Sequence, residues 1–126
     1  MVSIETFTSI ANSFPQISEQ PHFEKHSFRV GKKIFATLDI SKQQACIKLS
    51  PADQDIFSAF DKTIIFSVPR KWGKQGWTFI DLQTVPEAML AAALKSAYCS
   101  VAPTKLVAEL SAADAKQHSE NDDEIL

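Results

Sequence analysis

Ile4, Phe7, Ile10, Ala11 and Phe14 fall on one stripe at helical spacing, so residues 3–14 read as a helix with Ser3 as its amino-terminal cap and Pro15 as its stop. The polar stretch Ser18–Lys25 (SEQPHFEK) reads as a connector. Two runs of alternating character follow, SFRV and KIFATLDI, joined by Gly31-Lys32, the signature of a tight hairpin. Their period of two predicts that Ile34, Ala36, Leu38 and Ile40 share one face, and that Ala45, Ile47 and Leu49 share a face of the next strand. Ser50-Pro51-Ala52-Asp53 then combines a cap, a first-turn proline and an early carboxylate, which opens a short helix to about Phe60. Thr63–Val68 and Gly76–Leu82 read as two more strands around the loop PRKWGKQ. Thr84 to Glu87 has the spacing of a capping box before a long helix bearing Met89, Leu90, Ala93, Leu94, Ala97, Tyr98 and Val101 on its apolar side. Pro103 starts a last short helix through Leu110. The order α, β, β, β, α, β, β, α, α predicts an α+β domain: an antiparallel sheet of about five strands with helices packed on one face.

With 126 residues there is room for one domain, and the 44% apolar and 22% charged content is that of an ordinary folded protein. The charge is uneven. Beyond residue 108 six acidic residues face only Lys116, a net −5, whereas residues 1–108 carry twelve basic and nine acidic residues, a net +3. Residues 1–110 are therefore expected to form the domain, and 111–126 an acidic, disordered tail able to compete with a polyanion for a basic face. No apolar run approaches the ~20 residues of a membrane span, and the first residues lack the pattern of a secretory signal, so a cytoplasmic protein without a membrane partner is expected. Cys46 and Cys99 sit in apolar surroundings and read as free thiols in the core.

The most skewed segment is Arg70–Trp77 (RKWGKQGW), with three cations, two tryptophans and two of the three glycines in the chain. Cations beside indoles suit phosphate contacts combined with stacking or wedging against bases. The same composition is also met by a core Trp77, a Trp72 covering the end of the sheet, and solvated loop charges. A second cationic cluster, Lys25, His26, Arg29, Lys32 and Lys33, surrounds the hairpin, where it either extends from a β-ribbon toward a polyanion or protects a sheet edge from aggregation. An enzyme has little to draw on. His22 and His26 are four apart, but HFEKH is not HExxH; both cysteines read as packing residues, and no phosphate-binding or nucleophile-elbow glycine motif is present.

Pro21-His22-Phe23, Ser27–Val30, Lys33–Leu38, Lys48–Pro51, Trp72–Thr78 and Val101-Ala102-Pro103, in this order, resemble the MmcQ/YjbR family from about Val2 to Leu110. The resemblance implies a CyaY-like α+β domain whose paired hairpins form a double wing, and a non-enzymatic role in DNA binding by analogy with the double-wing domain of a phage transcription factor. Lys74 stands where the family has a cation between the glycines, and Gln75 where many relatives have a second basic residue. The frataxin-like iron proteins share the fold type, but their acidic first helix has no counterpart here, where Glu5 is the lone carboxylate of residues 3–14, so no metal and no cofactor are expected. The candidate nucleic-acid-binding residues are Lys25, Arg29, Lys32, Lys33, Arg70, Lys71, Trp72 and Lys74, the expected partner is double-stranded DNA, and a monomer is expected. The alternative is a protein-interaction or small-ligand module whose binding depends on Trp72 and little on salt.

Overall fold

The computed structural model describes residues 1–110, and of His22 the backbone alone. Ser3 caps the first helix, α1 (Ile4–Asn12), by accepting the Thr6 amide at 3.0 Å, and α1 buries Phe7 and Ala11. Six strands follow, interrupted by helices: β1 (Ile17–His22), β2 (Lys25–Val30), β3 (Lys33–Asp39), β4 (Gln44–Lys48), α2 (Pro51–Ser58), β5 (Ile65–Ser67), α3 (Lys71–Lys74), β6 (Trp77–Asp81) and α4 (Glu87–Val101). A last helix, α5, runs over 104–110. The acidic tail expected over 111–126 lies outside the described residues.

All neighbouring strands are antiparallel, in the order β1-β2-β3-β4-β6-β5. Alternation sends Phe28, Val30, Ala36, Leu38, Ala45, Ile47, Thr78 and Ile80 to one face, where all are buried. On that face α4 lies across β3 and β4 and α1 lies on β1, closing the core with Leu90, Ala93, Leu94, Ala97 and Tyr98. The opposite face stays open. The α+β class read from the sequence is the architecture found.

Four local expectations give way. The connector over 18–25 contains β1, paired with β2 from Ile17↔Val30 to His22↔Lys25. Its polar side chains hide the strand signal because an edge strand facing water needs no alternation and tolerates a proline, here Pro21. Ile34 does not join Ala36 and Leu38, because the register shifts between Phe28↔Ala36 and Arg29↔Ile34. The extra residue, Phe35, is buried beside Ala36, and this bulge swings Ile34 round to the Arg29 side. The capping box does not form: α4 starts after Pro86 with no side-chain cap, while the Thr84 hydroxyl donates to Asp81 Oδ2 at 3.1 Å. Cys46 leaves the core for the open face, and Trp77, read either as a core residue or as a stacking indole, stands there too, as their parity with buried Ala45, Ile47 and Thr78 requires.

Tyr98 anchors the core. Its ring stacks on Phe14 at 5.0 Å and meets Phe35 edge-on at 5.7 Å, and its hydroxyl donates to the Pro15 carbonyl at 2.8 Å. Tyr98→Phe leaves that carbonyl without its donor and is expected to cost about 1–2 kcal/mol in urea denaturation. Burial pushes the Tyr98 phenol above its ordinary value. The folded state therefore holds the proton longer than the unfolded chain, so this contribution is full below about pH 10 and is lost as pH rises from there through the raised folded value. Tyr98→Phe, in a chain with one tyrosine, should remove that alkaline loss.

Candidate nucleic-acid interface

The loop between β5 and β6 is shaped by close backbone contacts. Gly73 is buried so near the Val68 carbonyl that an added Cβ would stand 2.0 Å from its oxygen, and at Gly76, with φ +105°, a Cβ would stand 1.9 Å from the Leu49 oxygen. The Leu49 amide in turn donates to the Gly76 carbonyl at 2.9 Å. From α2, the Gln54 amide nitrogen reaches the Gly73 carbonyl (3.0 Å), the Trp77 carbonyl (3.3 Å) and the Thr78 hydroxyl (3.1 Å). Arg70 enters α3 at φ +66°, a left-handed conformation costing about 1–3 kcal/mol that the surrounding contacts must offset. The result is a clamped platform presenting Lys71, Trp72 and Lys74 to solvent, with Trp72 54% exposed.

Strand polarity decides what this platform sits beside. β2 ends at Val30, β3 begins at Lys33, β4 ends at Lys48, β5 ends at Ser67 and β6 begins at Trp77, so the β2–β3 turn and the β5–β6 loop project from the same end of the sheet with the end of β4 between them. Three strand spacings separate the middles of the two hairpins, about 14 Å. Arg29, Lys32, Lys33, Arg70, Lys71, Trp72 and Lys74 therefore lie at one end. Lys25 does not: it opens β2 at the far end, opposite Asp39, about 17 Å along the strand from Val30.

Sequence reasoning omitted Lys48 and Trp77 from the site. They are cross-strand partners on the open face, and the Lys48 ammonium lies 5.5 Å from the Trp77 ring centroid. The period-two rule that buries Ile47 and Thr78 already turns Lys48 and Trp77 outward, and that was the available signal. Lys48 is further positioned by α4, whose Ser100 hydroxyl donates to the Lys48 carbonyl at 2.7 Å. Arg29, Lys32, Lys33, Ile34, Lys48 and Trp77, with Ser100 and Val101 at the end of α4, surround a pocket of about 470 Å³. Among the described residues none of its cations is ion-paired with a carboxylate, and the Arg29 Nε is buried without a hydrogen-bond partner.

Elsewhere on the open face the chemistry is quiet. Burial pushes the Cys46 thiol up to about 11, which disfavours the reactive thiolate. On the helix-covered side, at the edge of the sheet, His26 Nδ1 lies 2.7 Å from Glu19 Oε2, and this hydrogen bond holds the Glu19 carboxyl below its ordinary value. Among the described residues no group of three or more metal-ligating side chains is found, and no helix is long and apolar enough to cross a membrane.

The fold is similar to that of the Deinococcus radiodurans protein DR2400, a DUF419-domain structure, with a TM-score of 0.66, 22% identity, and 78% of this chain and 77% of that chain covered. Among curated proteins none matches the sequence significantly. The YjbR family model matches residues 12–100, a stretch containing both hairpins, the clamped WGKQGW loop and Lys48, and the chain accordingly belongs to the YjbR family.

Proposed function

We propose that this chain is a non-enzymatic DNA-binding module that lays the basic end of its sheet along a phosphate backbone. The observation that carries the reading is the convergence of Arg29, Lys32, Lys33, Lys48, Arg70, Lys71 and Lys74 at one sheet end, unpaired by any carboxylate among the described residues. Gathering like charges without counterions costs free energy through mutual repulsion, and a polyanion relieves it while releasing its own condensed cations. The spacing of the hairpins, about 14 Å, is close to the ~12 Å width of a duplex major groove, so the two turns can follow its flanking backbones. Phosphate contacts of this kind position a protein without reading sequence. Trp72, held rigid beside Lys71 and Lys74, adds an aromatic surface at the rim.

Amide chemical-shift mapping with a short duplex tests the reading. Shifts should concentrate at residues 29–33, 48 and 70–77, leaving α1 and the β1–β2 turn silent. Shifts centred on the exposed Ile56 of α2 and Phe60 just beyond it would move the DNA contact away from the basic end, and none at all would make a protein partner the better account.

A further inference from the structure

The pocket at the basic end has a different character from the rim around it. Its lining joins apolar and aromatic surface, from Ile34, Trp77 and Val101, to the cations Arg29, Lys32, Lys33 and Lys48. A volume of about 470 Å³ is in the range of small-ligand sites, whereas the depression at the far end beside Lys25 and Asp39 has about 170 Å³. A continuous phosphate backbone would satisfy the cations and leave the apolar part of the lining without a partner. The occupant that matches both parts is flat and apolar in one half and anionic in the other.

We propose that this pocket takes one unpaired nucleotide, its base against Ile34, Trp77 and Val101 and its phosphate held by Arg29, Lys33 and Lys48. Three features converge on it. The bulge at Phe35 turns Ile34 onto the Arg29 side, into the pocket lining, where regular pairing would have sent that side chain to the core. The Arg29 Nε, buried and without a partner, gains an acceptor when a phosphate oxygen arrives, removing the cost of an unsatisfied buried donor. The Lys48 ammonium rests over the Trp77 indole with no carboxylate among the described residues to hold it, so a base and phosphate of one nucleotide meet the indole and the cation side by side. Trp77 and Phe79 stand two residues apart on the open face of β6, and Phe66 packs against Phe79 at 5.6 Å, so aromatic surface continues beyond the pocket in the manner of single-strand platforms. The inference rests on the proposed DNA-binding reading for the anionic half of the ligand. The nucleotide comes either from a strand with an unpaired end or gap, or free from solution.

The full chain carrying Trp72→Phe has Trp77 as its one indole, so its fluorescence reports the pocket. Titration with 5′-AMP should change that emission saturably, while inorganic phosphate at equal concentration should not. In parallel, anisotropy of a labelled duplex with a three-nucleotide overhang should give about ten-fold tighter binding than its blunt counterpart, the worth of one stacked base. Trp77→Ala should erase the overhang preference and Trp77→Phe should retain part of it. A response to AMP without an overhang preference assigns the pocket to free nucleotides; the reverse assigns it to strands. No AMP response and equal binding of both duplexes would overturn the pocket assignment while leaving the DNA-binding reading intact, and no binding of any DNA would overturn both.

Discussion

Gly76→Ala is expected to lower the unfolding free energy by about 3 kcal/mol, the largest single-residue effect away from the hydrophobic core. Two costs coincide. At φ +105° an L side chain is strained whatever space surrounds it, and here there is none, because the Cβ would stand 1.9 Å from the Leu49 oxygen. Relief requires the β5–β6 loop to move away from the end of β4, which breaks the 2.9 Å bond from the Leu49 amide to the Gly76 carbonyl. The same movement takes the Gly73 and Trp77 carbonyls away from Gln54. Gly31→Ala is the comparison: its φ of +62° is also positive, but a Cβ there meets nothing within 4 Å, so the loss should be nearer 1 kcal/mol. Urea denaturation of the two variants checks the ranking. A Gly76 variant as stable as the parent would show that the loop is not clamped to β4.

Replacing Lys33, Lys48 and Lys74 together by glutamine is expected to weaken duplex binding by two to three orders of magnitude at 0.1 M salt, the share of counterion release that three phosphate contacts supply. The three residues sample β3, β4 and α3 across the whole basic end, and glutamine keeps most of each side-chain stem, so the fold should be preserved. Each lost contact should also flatten the dependence of log K on log salt by about 0.9. Lys42→Gln with Lys62→Gln removes positive charge from the opposite end of the sheet, where Lys42 follows β3 and Lys62 precedes β5. That pair should reduce affinity several-fold at most through the change in net charge. Equal losses per charge from both sets would mean that DNA senses only the total charge of the protein.

The fold class was legible because its signals are periodic: the α1 and α4 stripes, the alternation of β3, β4 and β6, and the Gly31 turn all follow from local spacing. What escaped depends on neighbours. β1 carries no pattern of its own and becomes a strand by pairing with β2, and the Phe35 bulge exists through the register of β3 against β2. Thr84 had cap chemistry, but Asp81 lay near enough to take its hydroxyl. For the site, the cation types were visible and their arrangement was not. Whether 29–33 and 70–74 share an end depends on β6 inserting between β4 and β5, which no local spacing encodes. Lys48 and Trp77 follow from the alternation rule, since Ile47 and Thr78 beside them point inward. Lys25, grouped with Arg29 by closeness in sequence, is separated from it by the length of β2.

The measurement that bears most directly on a DNA-binding sheet end is the salt dependence of the full chain for a short duplex, followed by anisotropy from 50 to 300 mM salt. Seven cations at one end, none ion-paired among the described residues, predict a straight line of log K against log salt with a slope between about −4 and −6. An affinity that does not respond to salt, or no binding at 50 mM, would contradict the account and return the basic end to the role of a solvated sheet edge.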